Sequence, residues 1–122
     1  MFQLAVLGVA AGAFGFMGVA AIMAPARITA QFGVPSLDRD GRNEVRAVYG
    51  GFGVAVATGL LLAILRPELR GPVAAATAVA LAGMASGRGV SAILDRGIGR
   101  FPALYGGLEL IGALALFAAA GR

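Results

Sequence analysis

Four runs of about twenty residues stand almost free of charge along this chain, at positions 2–24, 43–65, 72–94 and 101–120. A helix rises 1.5 Å per residue, so each run reaches across about 30 Å of hydrocarbon. Pro25 ends the first run and the Arg66-Pro67 pair ends the second. The second carries Glu44 and Arg46 only at its start, the third contains Arg88, and the fourth contains Glu109. Helices packed in water need a polar stripe. Positions 47–65 offer only Tyr49 and Thr58 as polar side chains, so a soluble four-helix bundle is the poorer reading. Charged residues are 13% of the chain against 59% hydrophobic, where a soluble domain carries about a quarter charged. Disorder, collagen and coiled coil are excluded as well. The expected fold is all-α, an antiparallel bundle of four transmembrane helices, with residues 1–122 forming one integral membrane domain.

The connections set the topology. Residues 66–71 and 95–100 are tight links, so neighbouring spans run antiparallel. Residues 25–42 are longer: 26–34 read as a short amphipathic piece along the interface, and 36–41 as a polar turn. Asp40 or Asn43 is expected to cap the second span. Connections one and three hold five Arg, while connection two and the C-terminus hold three. That asymmetry leans toward both termini outside. No charge occurs from Met1 to Ala26, and the run exceeds a signal-peptide core of about 7–15 residues, so it reads as a retained helix. The net charge is +4, with every basic residue an Arg. These residues sit between apolar segments and not on one clustered face, so nucleic acid is not an expected partner.

Cys and His are both absent. No disulfide, thiolate nucleophile, imidazole base, zinc site or ordinary haem ligation is therefore expected, and no cofactor or metal is assigned. Tyr49, Ser91, Asp95 and Glu109 are capable of acid–base work in principle. No metal-binding run, serine elbow or phosphate loop accompanies them. No catalytic residue is assigned, and the sequence does not point to an enzyme.

Ala47-Val48-Tyr49-Gly50-Gly51-Phe52 in the second run is echoed by Ala103-Leu104-Tyr105-Gly106-Gly107-Leu108 in the fourth. The echo reads as a duplicated helical hairpin, with parallel repeats about an axis along the membrane normal. Glycine is abundant, 20 of 122 residues. Lipid supplies no hydrophobic drive between helices, so close backbone approach matters more. Gly8, Gly12, Gly15 and Gly18 mark a face of the first span, Gly50, Gly53 and Ala57 one of the second, and Gly83 and Gly87 one of the third. These faces serve tight packing, and Gly8 with Gly12 also offers a homo-oligomer contact.

Embedded charges are the strongest functional signal. Glu109 lies about 12 Å inside the fourth span and Arg88 about 9 Å inside the third, measured from the same side. A lone charge at mid-helix costs about 2.5–3.5 kcal/mol on insertion scales, so an Arg88–Glu109 ion pair is expected. Tyr105 shares the face of Glu109 at i,i+4, and Ser91 and Asp95 align with Arg88. Asn43, Glu44, Arg46 and Tyr49 approach from the start of the second span. Together these nine residues form the candidate ligand-binding pocket. In one reading Arg46 and Arg88 hold an anion, and Glu109 is a proton-linked acid. In the other, the cluster only locks the bundle.

The run Asn43-Glu44-Val45-Arg46-Ala47-Val48-Tyr49-Gly50-Gly51 completes the pattern Asn-Glu-x-Arg-Ala-x-Tyr-Gly-Gly. Gly87-Arg88, Ser91 and Asp95 follow in the third span, and Tyr105 and Glu109 in the fourth. In these features the chain resembles a family of small bacterial four-helix integral membrane proteins containing a domain of unknown function. The resemblance implies four transmembrane helices in a bacterial inner (plasma) membrane, surrounded by membrane lipids. It implies no biochemical activity. The residues themselves leave two functional readings. One is a binder or transporter of a small anionic, lipid or quinone-like ligand. The other is a non-catalytic structural or assembly component of a membrane complex.

Overall fold

The computed structural model describes residues 1–122. Its helices are α1 (Phe2–Met23), α2 (Pro25–Ala30), α3 (Arg39–Leu65), α4 (Pro67–Leu94) and α5 (Arg100–Ala120). No strand forms. All but α2 are long and apolar enough to cross a membrane. The all-α, four-span bundle is thus as the sequence leads one to expect, and the chain is a multi-pass membrane protein.

Two helix starts differ from expectation. α3 begins at Arg39, capped by Asp38, whose Oδ1 accepts the Gly41 N–H at 2.7 Å. Asp38 has the extended backbone a cap requires, whereas Asp40 and Asn43 are already helical. α4 begins at Pro67 and not near Pro72. Proline is at home at a first helical position, where its missing N–H would find no partner anyway. Pro72 lies inside the helix and forfeits only a bond to Glu68, which is exposed.

α3 also contains a π-helical turn at Arg46–Gly51, where an unbroken α-helix was expected. It coincides with the adjacent Gly50 and Gly51 and with the closest approach of α1. One inserted residue rotates what precedes it by about 100°. Asn43 and Glu44 are thereby turned out of line with Tyr49.

The tightest pairs are the hairpins α1/α3 and α4/α5. The first is sealed by glycine. A Cβ on Gly53 would lie 2.9 Å from both the Gly18 Cα and the Phe14 carbonyl oxygen, and one on Gly18 would lie 2.6 Å from the Val54 nitrogen. Backbone cannot yield there. The expected glycine face of α1 is split: Gly18 is buried in this seam, while Gly8 and Gly12 face open space. Gly83 and Gly87 are likewise open.

The two hairpins share one register feature. Gly50 packs on Ile22 in the first, and Gly106 packs on the Arg88 side chain in the second. Ten fewer residues separate the second pair of partners. That difference equals the difference between the two connections, residues 24–38 and 95–99. Arg88 therefore stands, in the second hairpin, where Ile22 stands in the first, an arrangement in keeping with a duplicated hairpin.

The hairpins join near the α3–α4 turn and the two termini. Leu7, Leu60 and Leu116 are fully buried there among Ala11, Ala63, Ala74 and Ala78. The Gln3 amide donates to the Ala119 carbonyl at 2.9 Å, tying α1 to α5. Helix ends within a bilayer still need partners for their last carbonyls. Arg46 Nε donates to Ile22 O at 2.9 Å at the end of α1. Arg70 Nη2 donates to Ile64 O at 2.8 Å at the end of α3. Thr58, Thr77 and Ser86 each turn their hydroxyl onto the carbonyl four residues earlier, so they present little polarity to lipid.

The seam makes a contrast testable by unfolding in mixed micelles. Gly53→Ala should destabilise by about 1–3 kcal/mol, the cost of overpacking. Gly12→Ala should leave the midpoint unchanged or slightly raised. Equal effects at both positions would contradict the seam.

Candidate functional site

Arg88 lies six residues before the end of α4, and Glu109 nine residues inside α5. Both reach similar depth from the side of connections one and three. The pair is bidentate: Arg88 Nε donates to Glu109 Oε2 and Nη2 to Oε1, each at 2.8 Å. This fork-to-fork contact is the strong form of a charged hydrogen bond. Glu109 is buried, at 8% exposure, whereas the Arg88 side chain keeps 26%. The expected ion pair is therefore present. No buried side-chain polar atom is left without a partner.

Tyr105, one turn before Glu109, places its ring 5.9 Å from the guanidinium carbon of Arg88. Its hydroxyl donates to Gln31 Oε1. Phe32 meets the same ring edge-on, with centroids 6.1 Å apart. The first connection is thus seated on α5. It is shaped for this by a left-handed Gly33, at φ +84°, and by the buried Thr29, whose hydroxyl donates to Val34 O at 2.9 Å. Tyr49 lies within electrostatic range of Arg88 from α3.

A cleft of 540 Å³ opens beside the pair. Met84, Gly87, Arg88, Ser91 and Asp95 of α4 line one wall; Gly97, Ile98, Gly99 and Pro102 line another, and Phe32 borders it. Ser91 and Asp95 touch only weakly, at 3.4 Å. Arg88 spends two of its five N–H groups on Glu109, which leaves three donors uncommitted. The cleft therefore combines N–H donors, a hydroxyl and a carboxylate. No cluster of metal-ligating side chains occurs.

The structure gathers only part of the expected pocket. Arg88, Glu109, Tyr105, Ser91 and Asp95 converge, with Tyr49 nearby. Asn43 and Glu44 are exposed and outside the cleft lining, on the turn of α3 that precedes the π turn. Arg46 caps α1 and does not face the cleft. Gln31, Phe32 and Met84 were not singled out from sequence. Gln31 and Phe32 sit in the connection whose path no periodicity describes, and Met84 reads as an ordinary apolar residue of its span.

A family model described as Domain of unknown function (DUF4345) matches residues 2–120. The chain belongs to this family. No match was found among curated proteins or among solved structures. For this DUF4345 protein, the site rests on the geometry just described.

Removing one partner strands the other charge. Arg88→Gln and Glu109→Gln should each destabilise the protein by about 3–5 kcal/mol, and the double variant should recover part of the loss. Simple additivity in the cycle would mean the two side chains do not interact.

Proposed function

We propose that this DUF4345 protein is a multi-pass protein of the bacterial inner membrane. It binds a small anionic, lipid or quinone-like ligand in the cleft beside Arg88 and Glu109. One observation carries this reading: the ion pair is not sealed between helices. Arg88 forms part of the wall of an open cleft, and its pairing with Glu109 leaves three of its N–H donors uncommitted. A pair serving helix registry alone needs no such opening, whereas embedded charges beside cavities mark ligand sites by default. We read the Asn43-to-Gly51 run as the family's signature. It supplies Tyr49 and the π turn of α3, and π turns recur at functional sites.

A second reading, a structural component of a membrane complex, is supported by a different observation. Gly8, Gly12, Gly83 and Gly87 have empty space where a Cβ would stand. Small residues open to lipid fit a packing surface for another helix, including that of a second copy.

Purification with native lipids followed by mass spectrometry separates the two readings. The first predicts a co-purifying small molecule that Arg88→Gln removes. The second predicts no such molecule, and a change of complex size with Gly12→Leu. Orientation is testable in the same membranes, because the chain has no native Cys. With both termini outside, Ser36→Cys should be shielded from an impermeant thiol reagent in intact cells, whereas Glu68→Cys should react readily. The reverse pattern would invert the topology.

A further inference from the structure

We infer that the cleft is the head end of a longer groove along α4, occupied by a membrane quinone: an uncharged ring at Arg88 and Ser91, with its prenyl chain running past Met84 to Thr77. This rests on the proposed ligand site and narrows its ligand.

The groove follows from helix periodicity. Thr77, Ala80, Met84, Arg88, Ser91 and Asp95 are spaced by three or four and fall on one stripe of α4. A second hollow, of 180 Å³, lies further along that stripe between α4 and the first hairpin, lined by Phe14, Phe52, Val56 and Thr77 among others. Met84 lines both hollows. It is an unbranched, flexible side chain and is 38% exposed. From Arg88 to Thr77 is about 17 Å along the helix, a distance a chain spans and a compact solute does not. The Thr77 hydroxyl is turned onto Val73 O at 2.8 Å, so the deeper hollow is apolar in effect.

Charge selects the head. Arg88 is neutralised by Glu109, Arg46 is committed to Ile22, and Asp95 adds a carboxylate to the lining. An anionic head would meet Asp95, and a cationic head would meet Arg88. An uncharged head that accepts from Arg88 and Ser91 meets neither penalty. Phe32 borders this end and Tyr105 stands beside it, aromatic neighbours that suit a planar ring.

The test uses the full chain in detergent micelles, read by native mass spectrometry and thermal unfolding. The probes are a ubiquinone with two prenyl units, the same ring without a chain, and oleoyl-lysophosphatidylglycerol. The prenylated quinone should bind and raise the unfolding temperature, and the bare ring should bind about tenfold or more weakly, because it forgoes chain burial. Ala80→Trp, which fills the deeper hollow at a position outside the head cleft, should weaken the prenylated quinone about tenfold and leave the bare ring unchanged. Ser91→Ala, at an exposed position that folding does not need, should weaken both. Tighter, Ser91-dependent binding of the lysolipid would overturn the quinone and leave the cleft as a ligand site. Indifference of the prenylated quinone to Ala80→Trp would overturn the groove. If no probe binds in a way sensitive to Ser91, both the inference and the proposed ligand site fall.

Discussion

An unaccompanied ion at membrane depth is costly, and the second hairpin is organised by that constraint. Arg88 and Glu109 meet through two parallel hydrogen bonds of 2.8 Å. The contact fixes the height of α4 against α5 and brings the Arg88 stem onto Gly106. In the first hairpin the corresponding place is taken by Ile22 against Gly50, and there the seam is apolar. Two hairpins of one plan thus solve the same packing problem differently. Only the second has a reason to keep polar side chains at membrane depth.

The rest of the bundle accommodates this difference. Leu7, Leu60 and Leu116 bring the hairpins together near the termini, where small alanines allow close approach. Toward connections one and three the shared core ends and the cleft opens. Arg46 and Arg70 satisfy the final carbonyls of the helices before them. Arg46, which looks like a ligand holder in the sequence, is thus a structural donor. Glycine is used unevenly as well: Gly18 and Gly53 are locked in backbone contact, while Gly12 and Gly87 are open.

Length and charge-free runs made the four spans legible, because the bilayer enforces both. The Arg88–Glu109 pair was legible for the same reason: two embedded charges at matched depth have few other solutions. The angular placement of Asn43 and Glu44 was not legible. It depends on the π turn at Arg46–Gly51, which inserts a residue without any change in hydrophobic pattern. The role of Arg46 depends on where α1 ends in space, and Gln31 and Phe32 depend on the path of a connection held by Thr29 and Gly33. Helical periodicity is silent on all of these. Glycine spacing also misled in part, since it marks small faces without saying whether a helix covers them.

The site is therefore a salt-bridged wall beside an open cleft, on a protein of the DUF4345 family that spans the membrane four times. The most direct test is a solid-state NMR distance in lipid bilayers between the Arg88 guanidinium carbon and the Glu109 carboxyl carbon. A bidentate pair places them about 4 Å apart. A separation beyond about 6 Å, with no dipolar contact between the two sites, would contradict the account.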